Sequence, residues 1–374
     1  MKMKEPQTEG DLADFLKSQA SPVRVVGGGT RGGMTEREVL STAGLSGVTL
    51  YEPGALTLVA QAGTPVAEID QVLAAENQRL AFEPMLHQGL LGTDGASTIG
   101  GVVAANVSGP RRVQAGACRD FLLGVRFVDG SGTLVKNGGR VMKNVTGYDL
   151  VKLLAGSWGT LGVLSEVSLK VLPDVETQTT VLINDLDARA AVVAMAAALG
   201  SPYEVTGAAY DPATRQVMLR LEGFESSVAY RAGKLGDVVG RFGAVTQDAD
   251  SAARWRAIRD VAVFHDVPGD VWRISVKPSD APDIADRIGS GATLFDWGGG
   301  LIWACVPEGT DLRRQLGGFD GHATLERGSA ETQRELGKFQ PQVAPIAAIT
   351  ERIRARFDPR GILNPGLMTS PAEG

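Results

Sequence analysis

The stretch GTDGASTIGGVVAANVSGPRR, Gly92 to Arg112, sets glycines at 92, 95, 100, 101 and 109 around an apolar middle of Ile99, Val102, Val103, Ala104 and Ala105. A flexible linker of that glycine content is polar throughout. Small residues among apolar ones instead predict backbone pressed against a buried group, because glycine lets main-chain N–H groups approach without a Cβ in the way. Successive N–H groups in such turns form concave anion sites, and Ser97 and Thr98 add hydroxyl donors. Taken alone, the stretch reads either as a phosphate cradle or as a tight turn between core strands.

Upstream, Val23 to Val26 reads as a strand running into Gly27-Gly28-Gly29-Thr30-Arg31-Gly32-Gly33. A Rossmann domain spaces its glycines at the start of a helix, with an acidic residue about 20 positions on. Here the glycines are contiguous and Met34 to Ser46 has no such helix pattern, so a Rossmann domain is not expected. Downstream, Gly156 to Gly162 feeds a strand in which Val163, Val167, Leu169 and Val171 alternate with Glu166, Ser168 and Lys170. Leu12, Phe15 and Leu16 mark a first helix. Thr64 and Pro65 are expected to open another, with Val66, Ile69, Leu73 and Leu80 on one face. Three glycine loops at strand or helix ends suit a long ligand with two phosphates.

From Thr177 the rhythm becomes β-α-β-β-α, and it recurs from Val271. This predicts two ferredoxin-like halves joined in one antiparallel sheet with helices on one side. A helix from Ser251 to Val261 carries Arg254, Trp255, Arg256 and Arg259, either as a partner surface or as a solvated face. A last helix, Val343 to Phe357, lines up Ile346, Ile349 and Ile353 before the segment DPRGILNPG.

Composition excludes several classes. The formal charge of −6 and the lack of a basic patch speak against nucleic-acid binding. Cys118 and Cys305 alone cannot hold an iron–sulfur cluster, which takes about four thiolates. They suit a reducing, cytoplasmic setting. No apolar run of about 18 residues occurs, so membrane attachment is expected only through a partner. His87, His265 and His322 form no H-x-H or H-x-x-H pair, so no metal site is expected.

VVGGGTRGG, ASTIGGVVAANVSG and KNVTGYDLVKLLAGSWGTLGVLSE resemble the FAD-binding module of the vanillyl-alcohol oxidase type, the PCMH fold. The third string, with GHATLER and DPRGILNPG, is similar to the FAD-binding subunit of bacterial glycolate oxidase. The resemblance implies an α+β chain in three parts. Residues 1–175 would form a PCMH-type domain of two α+β subdomains, 176–330 an antiparallel ferredoxin-like cap, and 331–374 a helix and tail returning to the first domain.

It further implies that Gly27, Gly28, Gly29, Thr30, Arg31 and Gly32 take one side of the FAD pyrophosphate. Gly95, Ser97, Thr98, Ile99, Gly100, Gly101 and Gly109 would take the other side and the ribityl region, and Gly159, Thr160, Gly162 and Val163 the adenine end. Asn364 is either a cofactor contact or a turn residue. Some relatives tether the flavin through a histidine beside the first loop. This loop offers only Thr30 and Arg31, and His87 reads as structural, so noncovalent FAD is expected.

Oxidising a 2-hydroxy acid needs a cation for the carboxylate and a base for the hydroxyl proton. Arg273 and His322 are the catalytic candidates, with Lys277 beside them; each can equally be an ordinary sheet-face or strand-end residue. Related catalytic subunits carry a histidine metal cluster that this chain lacks. The expectation is therefore an accessory, electron-transferring flavoprotein working with a catalytic flavoprotein and an iron–sulfur subunit. A self-sufficient FAD-dependent 2-hydroxy-acid dehydrogenase and a scaffold with a vestigial cleft stay open as alternatives.

Overall fold

Four sheets organise the chain in the computed structural model, which describes residues 3–31, 37–140, 147–248 and 250–368. Glu38–Ser41 is the middle strand of a parallel trio, flanked by Met3–Lys4 and Val23–Val26. The capping box at Thr8 starts helix Glu9–Ser18, whose Leu12 and Leu16 are buried against this trio's core. Next comes an antiparallel sheet in the order Val48–Glu52, Thr57–Gln61, Val163–Lys170, Leu122–Val128, Leu134–Gly138. Val163–Lys170 lies at its centre, so the expected one-sided alternation gives way to burial on both faces, Ser165 and Ser168 included.

The glycine-rich stretch holds a short helix, Ile99–Ala104, capped by the Thr98 side chain and sunk into the core of the five-stranded sheet. Thr64 does not cap the preceding helix, Val66–Ala74, whose N-cap is Pro65. The Thr64 hydroxyl instead donates to the Gln61 carbonyl at 2.7 Å and accepts from Gly47 N–H at 2.9 Å. Leu80 lies past that helix, though in the same core.

The third large sheet has eight strands, in the order Val245–Asp248, Thr177–Ile183, Gln216–Gly223, Gly207–Asp211, Ala292–Asp296, Leu301–Val306, Asp270–Val276, Gly321–Arg327. Every pairing is antiparallel, and the halves meet at Tyr210 and Phe295. Each half is ordered 4-1-3-2 by its own strand count, the ferredoxin-like order. The α+β expectation with an antiparallel cap therefore holds, and the edge strand Val245–Asp248 is an addition to it.

Period-two patterning gives this sheet two unlike faces. Leu219, Leu221, Trp272, Ile274, Phe295, Ile302 and Leu325 enter a core closed by helices Ala188–Leu199, Glu225–Val239, Ala281–Ile288 and Leu312–Leu316. Arg220, Glu222, Arg273, Asp296, Thr324 and Glu326 alternate with them and occupy the opposite face. Helix Ser251–Arg259 lies on that face, with Trp255 buried beside Leu182, Ala209 and Met218. It packs through Ser251, Trp255 and Ile258, while Arg256 on its other side is exposed.

The last helix, Ala344–Phe357, sets Ile353 and Phe357 against the core of the five-stranded sheet, while Ile346 and Ile349 are exposed. Beyond it, Arg360 donates to the carbonyls of Lys17, Gln19 and Gly130, and Leu363 bridges to Val23. The tail is thereby fixed beside strand Val23–Val26.

Candidate functional site

A cavity of about 550 Å³ opens where the N-terminal sheets, the last cap strand and the tail converge. Its size falls in the ~300–1,000 Å³ range of small-molecule and cofactor clefts. Gly27, Gly28, Gly29, Thr30 and Arg31 line one wall, and Thr98, Gly100 and Gly101 another. Trp158, Gly159 and Gly162, then Glu326 and Lys338, then Asn364 complete it. All three glycine loops, GHATLER and the tail motif reach one cleft.

Two glycines show why side chains are excluded here. A Cβ on Gly28 would lie 1.6 Å from the Ala96 carbonyl oxygen, and one on Gly95 would lie 1.6 Å from that of Gly28. The first two loops are interlocked back to back. Among the described residues, the backbone N–H groups of Gly27, Gly28, Gly29 and Thr30 have no hydrogen-bond acceptor. Gly27 and Gly28 are half-buried, Gly29 is exposed and Thr30 is buried, and successive N–H groups left open along a cleft wall fit an anionic ligand such as a pyrophosphate.

Arg31 crosses the cleft. Its Nη1 donates to the Gly101 carbonyl at 2.7 Å, its guanidinium carbon lies 5.9 Å from the Trp158 ring centroid, and Nε and Nη2 are buried without a partner. Burial lowers its pKa to about 10, leaving it cationic at neutral pH. Lys338 stands over the same indole at 4.9 Å and pairs with Glu326 at 2.6 Å. Burial would raise the Glu326 carboxyl, but the Lys338 charge and hydrogen bond overcome this and hold it at about 2. His87 is buried outside the cavity wall. Desolvation, then the Arg31 charge, lowers it to about 3, so it is neutral.

Other expected contacts lie elsewhere. Ile99 and Val163 are core residues, and the Thr160 hydroxyl is spent on the Ser157 carbonyl. Ser97 is buried and gives its carbonyl to Val66 N–H; Gly95 supports the first loop from behind. Gly109 belongs to the boundary with the cap: its carbonyl accepts from Trp297 Nε1 at 3.0 Å, and a Cβ there would be 2.1 Å from the Glu83 carbonyl oxygen. Gly32 lies outside the described residues. Asn364 lines the cavity, but its Oδ1 accepts from Val25 N–H and its Nδ2 donates to the Trp158 carbonyl, both at 2.8 Å. It brackets two cleft walls.

The polar face of the cap meets the N-terminal domain through buried ion pairs that the sequence reading missed. Arg220 grips Glu83 with two bonds of 2.8 and 2.9 Å, and Arg111 grips Glu222 with bonds of 3.0 and 2.6 Å. Arg79 adds a 2.9 Å contact to Glu222. Strand alternation in Leu219–Glu222 was the available signal; the acceptor Glu83 comes from a distant loop.

Arg273, His322 and Thr324 share that face, with Ser275 opposite His322 and Arg273 opposite Thr324. None of the three lines the cavity. Arg112 and Arg273 lie 4.5 and 5.0 Å from the Trp297 ring centroid. Lys277 is exposed and paired with Asp280. Asp296 is buried beneath Trp297 and accepts its N–H at 2.7 Å; desolvation raises its pKa to about 7. Among the described residues there is no cluster of three or more His, Cys, Asp or Glu suited to a metal ion, and no helix long and apolar enough to cross a membrane.

Comparison with known proteins gives the family and the fold. A family described as "FAD binding domain" matches residues 3–138. The chain is 37% identical over 326 residues to glycolate oxidase subunit GlcE of Escherichia coli (strain K12), covering 86% of this chain and 84% of that protein. It is 36% identical over 140 residues to glycolate oxidase subunit GlcD of Bacillus subtilis (strain 168), covering 37% of this chain and 28% of that one. The fold matches a solved alkyldihydroxyacetonephosphate synthase with a TM-score of 0.69 at 16% identity, over 97% of this chain and 76% of that one. The solved structure shows the fold, and the matched family together with the sequence relatives places the chain among FAD-dependent oxidoreductases. Within that class the chain belongs to the family of glycolate oxidase subunit GlcE.

Proposed function

We propose that this chain is the FAD-binding subunit of a glycolate (2-hydroxy acid) oxidase complex, relaying electrons alongside a catalytic flavoprotein and an iron–sulfur subunit. The observation that carries the reading is the row of backbone N–H donors from Gly27 to Thr30, without an acceptor among the described residues, along a cleft where Arg31 adds two donor nitrogens. Bound FAD supplies the redox chemistry, and the protein binds, orients and shields it. In this reading Gly27 to Thr30 hold the pyrophosphate. Thr98, Gly100 and Gly101 face the ribityl side, Gly159 and Gly162 the adenine end, and Asn364 fixes the walls around them. FAD is held noncovalently, since the described cavity lining contains no His, Cys or Tyr to form a tether.

Similarity to two differently named subunits of glycolate oxidase supports a role within an assembly. Purified chain reconstituted with FAD is expected to be yellow, to release its flavin on denaturation and filtration, and to show little glycolate:dye reductase activity by itself. Rapid turnover by the isolated chain would replace this reading with the self-sufficient dehydrogenase. That second reading draws on Arg273 and His322. Partial desolvation, then the Arg273 and Arg112 charges, lower the His322 pKa, so it is a neutral acceptor at pH 7 beside two cations.

A further inference from the structure

Arg313, on helix Leu312–Leu316, points its guanidinium at main-chain carbonyls. Nε donates to Ala323 at 2.9 Å, Nη1 to Leu336 at 2.7 Å and Gly337 at 3.2 Å, and Nη2 to Lys338 at 2.6 Å. Three of these four acceptors belong to one strap, residues 336–340, which leads from the cap toward the last helix. Gly337 and Lys338 of the strap line the cleft. The strap runs beside the outer edge of strand Gly321–Arg327 without becoming a ninth strand. Leu325 N–H donates to the Lys338 carbonyl and Ala323 N–H to Gln340 Oε1, both at 2.8 Å. Across the cleft, Phe339 meets Trp158 edge-on at 5.3 Å. None of residues 336–340 is buried, and residues 341–349 are exposed throughout; the chain rejoins the core at Ile353. The other walls are built differently: the first two glycine loops interlock, and Asn364 ties Val25 to Trp158. A segment held by a few polar bonds over little buried apolar surface opens at lower free energy than its surroundings.

We propose that residues 336–340 are the gate of the cleft and that Arg313 is its latch. The strap swings out to admit the cofactor, and the clasp on four carbonyls closes it again. A gate differs from a wall in its kinetics. Loosening a gate speeds entry and exit together, whereas removing a ligand contact speeds exit alone.

The proposal rests on the reading that the cleft holds FAD. Stopped-flow mixing of the FAD-free full-length chain with FAD, followed by flavin fluorescence, gives the association rate, and dilution of the loaded chain gives the release rate. Arg313→Gln is expected to raise both by about tenfold and to leave the Kd within about threefold of wild-type. Gln340→Ala cuts one bond between strap and cap strand, and should move both rates the same way by about two- to threefold. Glu222→Ala weakens the seam without touching the strap, and is expected to keep wild-type rates. Arg313→Gln with wild-type rates in both directions overturns the proposal. So does faster release with unchanged association, which makes Arg313 a support of the bound state alone. Equal acceleration by Glu222→Ala assigns entry to separation of the whole cap, and the gate fails. If Arg313→Gln does not fold, Gln340→Ala carries the test, and wild-type rates for it count against the gate. A wild-type chain that takes up no FAD sinks the cleft reading itself, and the gate with it, before any variant is compared.

Discussion

Arg220 and Arg31 are both drawn into the boundary between the two domains, and they are held in opposite ways. Arg220, 1% exposed, is saturated: Glu83 takes two of its N–H groups, Thr206 takes others, and its guanidinium lies 4.6 Å from the Trp255 ring centroid. Arg31 has one carbonyl and one aromatic ring. A buried charge survives when it is paired and fully hydrogen-bonded. The seam meets that condition from within the chain; the cleft meets it only with a ligand. Arginine by itself therefore says little about role here, and what distinguishes the two regions is where the counter-charge comes from.

The strongest way to break the contrast is to strip the seam of an acid. Glu222→Ala leaves Arg111 and Arg79 facing each other without their shared carboxylate. The expected loss is about 3–5 kcal/mol of unfolding free energy, read from urea titration, with FAD content per folded molecule unchanged. Replacing Glu222 and Arg111 together by Leu and Met should recover much of that loss. A sole loss of FAD with normal stability would mean that the seam serves the cofactor.

Asp296 sharpens the contrast through pH, because its sign is opposite to that of Glu222. Burial raises Glu222, but Arg111 hydrogen bonds and the Arg220 charge outweigh it, so the net shift is downward and its stabilisation is lost in acid. Desolvation raises Asp296 from its ordinary 3.8 to about 7. Between those values the unfolded chain has released this proton and the folded chain still holds it, so stability falls as pH rises. Asp296→Asn should remove that slope and be more stable than wild-type above pH 7, on the order of 1–3 kcal/mol. Parallel stability–pH curves for the two proteins would contradict the assignment.

Local patterns made much of this legible. Strand alternation and the repeated β-α-β-β-α order led to a single antiparallel cap sheet, though not to its edge strand Val245–Asp248, and contiguous glycines marked the three cleft loops. Features set by distant partners were hidden. Glu83 with Arg220, and Arg111 with Glu222, pair across the domains, and nothing near Glu83 in the chain announces this. Helix Ile99–Ala104 contains Gly100 and Gly101, poor helix formers, and exists because Thr98 caps it and the core closes over it. Ile346, Ile349 and Ile353 share one helix face, yet of these only Ile353 packs against the domain core, while Ile346 and Ile349 are exposed. Gly109 and Ile99 sat in the decisive stretch without lining the cleft, since one tight stretch serves packing and cleft at once.

On the cleft side, Gly159 has φ +69°, and a Cβ there would stand 3.0 Å from Asn364 Nδ2. Gly159→Ala should cost about 1–2 kcal/mol in stability, from left-handed strain on a side chain. It should also weaken FAD retention in gel filtration, the reverse of Glu222→Ala. Loss of stability without loss of FAD would move the third loop from the cleft to the scaffold.

Arg273 gives the smallest expected effect and places the last arginine in the contrast. Like Arg31 it bonds no acid among the described residues, and its one cation–π partner, Trp297, is worth about 0.5–1 kcal/mol. Arg273→Ala should therefore leave unfolding and FAD content nearly unchanged. Its diagnostic readout is anaerobic bleaching of the flavin by glycolate or D-lactate. For an accessory subunit, wild-type and variant are equally unreactive. If wild-type bleaches and Arg273→Ala does not, Arg273 joins Arg31 as an arginine whose counter-charge is a ligand. The cap would then hold a substrate carboxylate opposite the cofactor.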